Sequence, residues 1–356
     1  MAYILLKFDD LDEKCIGNFI RVFDFCKAKS IPVCFGIIGK SLEKQANDYV
    51  DSIRNMKNSY GEKLELWNHG YYHTKEEFSL DADEDQAESL FHTQRLMKEF
   101  FGETVTAFGS PYNNSTEATV RILSKSFPEI NKFFSISDSD GSSKAKSFLI
   151  RCDCENSPGK VSVDYFRKEY ERVKKYPYFI VQEHPGLWND KDFEEFSNVI
   201  KILVDDGNEF VTATELSHKD ISWIRDDKTK LLEDGLLRFA AKHEKTFLLG
   251  SSEVAREVHI FLAMLGIIPD GFVVSDGFKT INKLCDKNVI ELSALREKCV
   301  DCGLIPSILG KNLKKVFDKE AFDGIDVWEP EMGISYEEFI DYVRYVVSLK
   351  SWGLYE

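Results

Sequence analysis

Two histidines four residues apart, His69 and His73, follow directly on the strand-like run Lys63 to Trp67. A spacing of four predicts both imidazoles on one side of a helical turn, close enough to share a metal ion. The chain has only 7 histidines, so two in one short stretch is informative. An isolated H-x-x-x-H also arises on exposed helix faces or as hydrogen-bonded core residues. A metal reading therefore needs a third ligand, preferably a carboxylate, from elsewhere. Asp9 and Asp10 end the apolar run Ile4-Leu5-Leu6-Lys7-Phe8, and His184 ends the apolar run from Tyr178. A carboxylate at the C-terminal end of a core strand points into the mouth of an α/β fold, where sites gather. The alternative at Asp9 and Asp10 is a cap for the next helix.

The elements between these residues decide whether they can meet. Strands are expected at 4–8, 31–38, 64–67, 104–108, 133–136, 148–152, 178–184 and 209–212. Helices are expected at 15–30, 41–59, 81–101, 116–127, 163–175 and 192–206, with a turn-rich segment at 137–143. Strands alternating with helices mean βαβ units and a parallel sheet or barrel. In such a fold three separate strands deliver Asp9, Asp10, His69, His73 and His184 to one rim.

Composition bounds the rest. At 356 residues the chain exceeds the usual size of one hydrophobic core, so two domains are expected. The content, 43% hydrophobic and 30% charged, is that of a globular protein. A net charge of -15 argues against nucleic acid and anionic membrane surfaces as partners. No apolar run reaches the roughly 18 residues of a transmembrane helix. Met1-Ala2-Tyr3 leads straight into the first strand without a visible signal peptide, and a cytoplasmic location is expected. The 8 cysteines do not suggest a disulfide framework. Cys299-Val300-Asp301-Cys302 is expected to be a pair of reduced thiols near a helix end, and Cys152 and Cys154 are read as reduced thiols on a strand.

Phe8-Asp9-Asp10, Asn68-His69-Gly70-Tyr71-Tyr72-His73, Ser110-Pro111-Tyr112 and His184 resemble, in order, the motifs of the NodB-type polysaccharide deacetylases, carbohydrate esterase family 4. The stretch from Asp205 to Leu216 resembles the usual end of that domain, so the resemblance covers about residues 1–218. It implies an irregular (β/α) barrel and a divalent metal, commonly Zn2+. Carried over by position, Asp10, His69 and His73 are the metal ligands, Asp9 the general base and His184 the general acid. The backbone N–H of Tyr112 then helps to form the oxyanion hole. Three departures stand out. Lys7 and Leu11 replace the Thr and Gly that usually flank the aspartates, and Phe108 stands where the family often has an Arg that orients the base. Arg151 is a possible substitute for that Arg.

Residues 219–243 read as a linker and helix, and 244–356 as a small Rossmann-like domain closed by a helix from Tyr336 to Leu349. Thr246 to Leu249, the turn Gly250-Ser251-Ser252 and a following helix form a degraded phosphate fingerprint. This segment weakly resembles the nucleotide-sugar-binding domain of some bacterial sugar acyltransferases. It fits equally a structural module or one that makes a homo-oligomer. The expected function is a metal-dependent deacylase acting on an acylated sugar or sugar-nucleotide precursor of a surface polysaccharide. Its competitors are an inactive carbohydrate-binding protein on the same fold and a metal hydrolase of a non-sugar amide.

Overall fold

The computed structural model describes residues 1–43, 47–79, 82–138, 143–222, 224–298, 300–319, 322, 324–331 and 333–355. Residues 139–142 of the turn-rich segment, Asp81 at the expected start of a helix, and Cys299 lie outside them. The chain divides into two compact units, one running to residue 222 and one comprising the rest.

The first unit is a near-closed parallel barrel. Its strands are β1 (Tyr3–Leu11), β2 (Val33–Ile37), β3 (Leu64–Asn68), β4 (Ala107–Gly109), β5 (Lys132–Phe134) and β6 (Lys146–Phe148), paired in that order. A small antiparallel hairpin, β7 (Glu155–Ser157) with β8 (Lys160–Val161), comes next, followed by β9 (Tyr178–Glu183) and β10 (Glu209–Phe210). β9 pairs with β1 over six residues, and a single parallel bridge from Arg151 to Ile180 links the end of the β6 segment to β9. β10 pairs with only Tyr3 and Ile4 of β1.

β1 shows why a barrel forms. Ile4, Leu5, Leu6 and Phe8 are all fully buried. A strand apolar on both faces must be covered on both, as parallel strands in α/β folds are. Phe8 packs edge-to-face on Phe35, Phe196 and Trp188, joining the sheet to the outer helix Asp190–Asp205. Each fully buried ring of this kind contributes about 1.5–3 kcal/mol. Inside the barrel the space is filled by Trp67, whose ring lies against Gly36. A Cβ on Gly36 would sit 2.3 Å from Trp67 Cζ2, so only glycine admits the ring.

The second unit holds a six-stranded sheet made of β11 (Lys245–Leu249), β12 (Gly271–Val274), β13 (Lys283–Leu284), β14 (Lys287–Glu291), β15 (Cys302–Pro306) and β16 (Asp326–Val327). The order is β13-β14-β12-β11-β15-β16, and all pairs but β13 with β14 are parallel. The strand order reverses at β11, as in doubly wound sheets. β15 was not expected from the sequence. Cys302 opens that strand and is disulfide-bonded, against the expectation of a reduced thiol near a helix end. Cys152 and Cys154 are free and buried.

Candidate metal centre

Asp10, His69 and His73 come together with one ligand atom from each within 4.8 Å of the others. Three local features bring them there. β1 and β2 shift register between Phe8 and Leu11, and within that bulge Asp10 takes a left-handed backbone, φ 66°. The bulge re-aims consecutive carboxylates, which on a regular strand would point to opposite faces. His69 follows the last residue of β3. His73 lies in an irregular loop with φ 59°, not on a helical turn as its spacing suggested.

That loop is built around Glu77. Its carboxylate accepts hydrogen bonds from the backbone N–H groups of Tyr71 at 2.6 Å, Tyr72 at 3.1 Å, His73 at 2.7 Å and Thr74 at 3.4 Å, and from the Ser89 hydroxyl. A concave run of amides around one anion fixes a loop as a helix would. No sequence signal marked Glu77, whose partners are backbone groups. Glu77→Ala is expected to weaken zinc binding about 10- to 100-fold, the usual effect of losing an outer-shell support. Isothermal titration with zinc checks this, and an unchanged affinity would show that the loop holds His73 without the carboxylate.

The protonation of His69 is set by geometry. Its Nδ1 lies 2.7 Å from the Gly109 carbonyl, which can only accept, so Nδ1 carries the proton. Its Nε2 faces Asp10 Oδ1 at 3.0 Å, and His73 Nε2 lies 2.8 Å from the same oxygen. Nitrogens this close to one carboxylate oxygen need a positive charge among them, either protons that they donate to the oxygen or a metal ion. Burial raises the Asp10 pKa, but its bonds to His69 and His73 outweigh that and hold it far below the usual carboxylate range. Burial lowers that of His73, and the hydrogen bond to Asp10 more than restores it. The donor set, two nitrogens and one carboxylate oxygen, is the kind that catalytic divalent metals take from a protein.

Asp9 is buried, and Lys7 holds both its oxygens, with Nζ at 2.6 and 2.7 Å. Arg151, the substitute suggested by sequence, pairs with Asp153 at 2.7 Å and also acts on Asp9 through its charge. Phe108 packs on Phe78 in the outer core, away from the barrel interior. Its neighbour Gly109 faces inward, where a Cβ would lie 3.0 Å from Trp67 Cζ3 and 3.1 Å from Phe134 Cβ. An orienting side chain at either position is thus excluded, and the cation comes from β1 itself.

His184 follows β9. Its Nδ1 lies 2.8 Å from Glu155 Oε2, while its N–H and Trp188 Nε1–H donate to Glu155 Oε1 at 2.9 and 2.6 Å. Glu155 thereby fixes the ring and turns Nε2 outward from the pair. Burial lowers the His184 pKa, but Glu155, then Asp9 and Asp10, raise it to about 9. The adjacent Glu183 differs. Burial and its negative neighbours Glu155 and Asp153 push its pKa well above the carboxylate range. Tyr112 has a left-handed backbone, φ 57°, and its half-exposed ring lies tilted against His73 with centroids 5.1 Å apart. Sequence reasoning missed Glu155, which reaches His184 across 29 residues.

The first unit is thus a near-closed parallel α/β barrel that carries an Asp-His-His cluster. Residues 2–126, about a third of the chain, match the model of the polysaccharide deacetylase family. The matched segment holds Asp9, Asp10, His69, His73 and Tyr112 but ends before His184. Among solved structures the chain is similar to a family 4 acetyl xylan esterase from Clostridium thermocellum in complex with a cobalt ion. The two are 18% identical over 60% of this chain and 90% of that one, with a TM-score of 0.45. It is also similar to a putative polysaccharide deacetylase from Mycobacterium smegmatis, at 11% identity, 64% and 94% coverage and a TM-score of 0.48. A third is a family 4 pseudoenzyme from Bacillus anthracis, at 16%, 60% and 65%, and 0.44. No curated protein matches the chain.

Proposed function

We propose that the protein is a metal-dependent deacylase that removes an N-acyl, or less favourably an O-acyl, group from a sugar. The observation that carries this reading is the convergence of two imidazole nitrogens on one carboxylate oxygen, with Asp9 and His184 flanking it. A divalent ion held by Asp10, His69 and His73, most simply zinc, would polarise the acyl carbonyl and acidify a water. Asp9 takes the proton of the attacking water as its oxygen bonds to the acyl carbon. The Tyr112 N–H donates to the carbonyl oxygen as negative charge builds there. His184 gives its proton to the sugar nitrogen as the C–N bond breaks, so the products are an amino sugar and a carboxylate. Its high pKa keeps that proton available at neutral pH.

The finer reading is that the substrate is a sugar nucleotide or another precursor of a surface polysaccharide. It draws support from the second unit, whose β11 runs through Gly250-Ser251-Ser252 into the helix Glu253–Met264, an arrangement suited to a nucleotide or phosphate. No helix among the described residues is long and apolar enough to cross a membrane. The test is acetate release from a panel of N-acetylated sugar nucleotides, free oligosaccharides and simple amides, with zinc bound and Asp9→Asn as control. Release from the sugars that Asp9→Asn abolishes is the expected result. Turnover of simple amides alone would overturn the sugar assignment, and no release at all with zinc present would overturn the enzyme.

A further inference from the structure

Lys7 stands in the middle of the most apolar strand of the barrel, between Leu6 and Phe8, with 1% of its side chain exposed. An ammonium so placed costs several kcal/mol of desolvation unless a partner compensates it. Its partner is Asp9, through both carboxylate oxygens. Two ring faces also lie close, Trp67 at 4.5 Å and Phe134 at 5.5 Å, and the charges of Arg151 and Asp10 act on it. Trp67 is the ring that Gly36 and Gly109 admit, so the pocket around the ammonium is shaped by residues from four strands.

Asp9 is close to the cluster as well. Its Oδ2 lies 4.0 Å from His69 Nε2, the same nitrogen that faces Asp10. A second carboxylate at that distance, with no counter-charge of its own, would be drawn into the coordination shell of a divalent ion. Two aspartates and two histidines make a closed, four-ligand site of the structural kind, with no position left for water.

We propose that Lys7 is a positioning residue that keeps Asp9 out of the metal's coordination shell by occupying both of its oxygens. The metal site thereby keeps an open position, and Asp9 stays beside it as a base. The catalytic half of this inference rests on the deacylase reading, but the coordination half does not.

The two halves are tested separately. Zinc affinity is measured by competition with a chelating dye for the wild type, Lys7→Met, Lys7→Gln, Lys7→Arg, Asp9→Asn and the double variant Lys7→Met/Asp9→Asn. Lys7→Met is expected to bind zinc at least roughly tenfold tighter, because Asp9 becomes a ligand. The gain disappears in the double variant, and Lys7→Arg stays near the wild type. If Lys7→Met does not fold around an unpaired Asp9, Lys7→Gln is read instead and is expected to shift the same way. Affinity that stays level or falls overturns the inference, as does a gain that persists without Asp9. These outcomes hold even if the wild type releases no acetate, a result that would sink only the proposed function. With an active wild type, Lys7→Met is also expected to lower kcat at least roughly tenfold with KM unchanged and Lys7→Arg to restore it. An undiminished kcat would overturn the positioning role.

Discussion

His69→Ala is expected to leave the protein without stoichiometric metal. In the proposed site His69 is one of three protein ligands, and its ring is the most firmly fixed of them, buried and bonded to Gly109 through Nδ1. Losing an outer-shell partner costs about 10- to 100-fold in metal affinity, and losing the ligand itself is expected to cost roughly a thousandfold or more. Elemental analysis after dialysis reads the result, with zinc titration for the residual affinity. The same substitution opens a space beside Trp67, whose ring centroid lies 4.7 Å from that of His69, so some stability is lost too. His73→Ala separates the two effects, because His73 is partly exposed at 20% and its removal disturbs packing less. Metal retained at full occupancy in both variants would sink the assignment of the site.

Glu155→Gln is expected to move the alkaline limit of activity down by at least about one pH unit. The wild-type His184 keeps its proton up to about pH 9, in the field of Glu155, Asp9 and Asp10. Without the Glu155 charge the imidazole falls back toward the ordinary histidine value of about 6.5. A pH profile of kcat/KM shows the shift, and a profile unchanged by Glu155→Gln would remove His184 from the role of proton donor. Stability follows the same linkage. The folded-state pKa lies above the unfolded one, so the stabilisation is fully present below about pH 6.5 and is lost as pH rises through about 9. Glu155→Gln is therefore most destabilised relative to the wild type at acid and neutral pH, and the difference narrows above pH 9. Urea unfolding at pH 6 and pH 9.5 measures it.

The residues of the cluster and its flank were legible in the sequence because their types are scarce and their strands are strongly apolar. Asp10, His69 and His184 each sit at or just past the end of a run whose burial the residues themselves announce, and His73 was marked by its spacing from His69. The supports were not legible. Glu77, Glu155 and Lys7 act through contacts that depend on a loop closing, on a short hairpin at 155–161, and on which way a side chain leaves a strand. A lysine within an apolar strand reads as a departure from pattern until the barrel shows what it faces. The histidine spacing misled in a similar way. Four residues brought the rings together, but through an irregular loop around a carboxylate rather than a helical turn. In the second unit β15 escaped notice because Gly303 and Pro306 weaken its strand signature, although Leu304 and Ile305 are fully buried.

Asp10 holds its ligand atom in place from a left-handed backbone, which costs a residue with a Cβ about 1 kcal/mol relative to glycine. Only the side chain's use offsets that cost. In a lineage where the reaction no longer mattered, selection for folding alone would favour glycine at this position, while His69, bonded into the core, would have no comparable reason to change. Decay of such a site would begin at the aspartate and reach the buried histidine last.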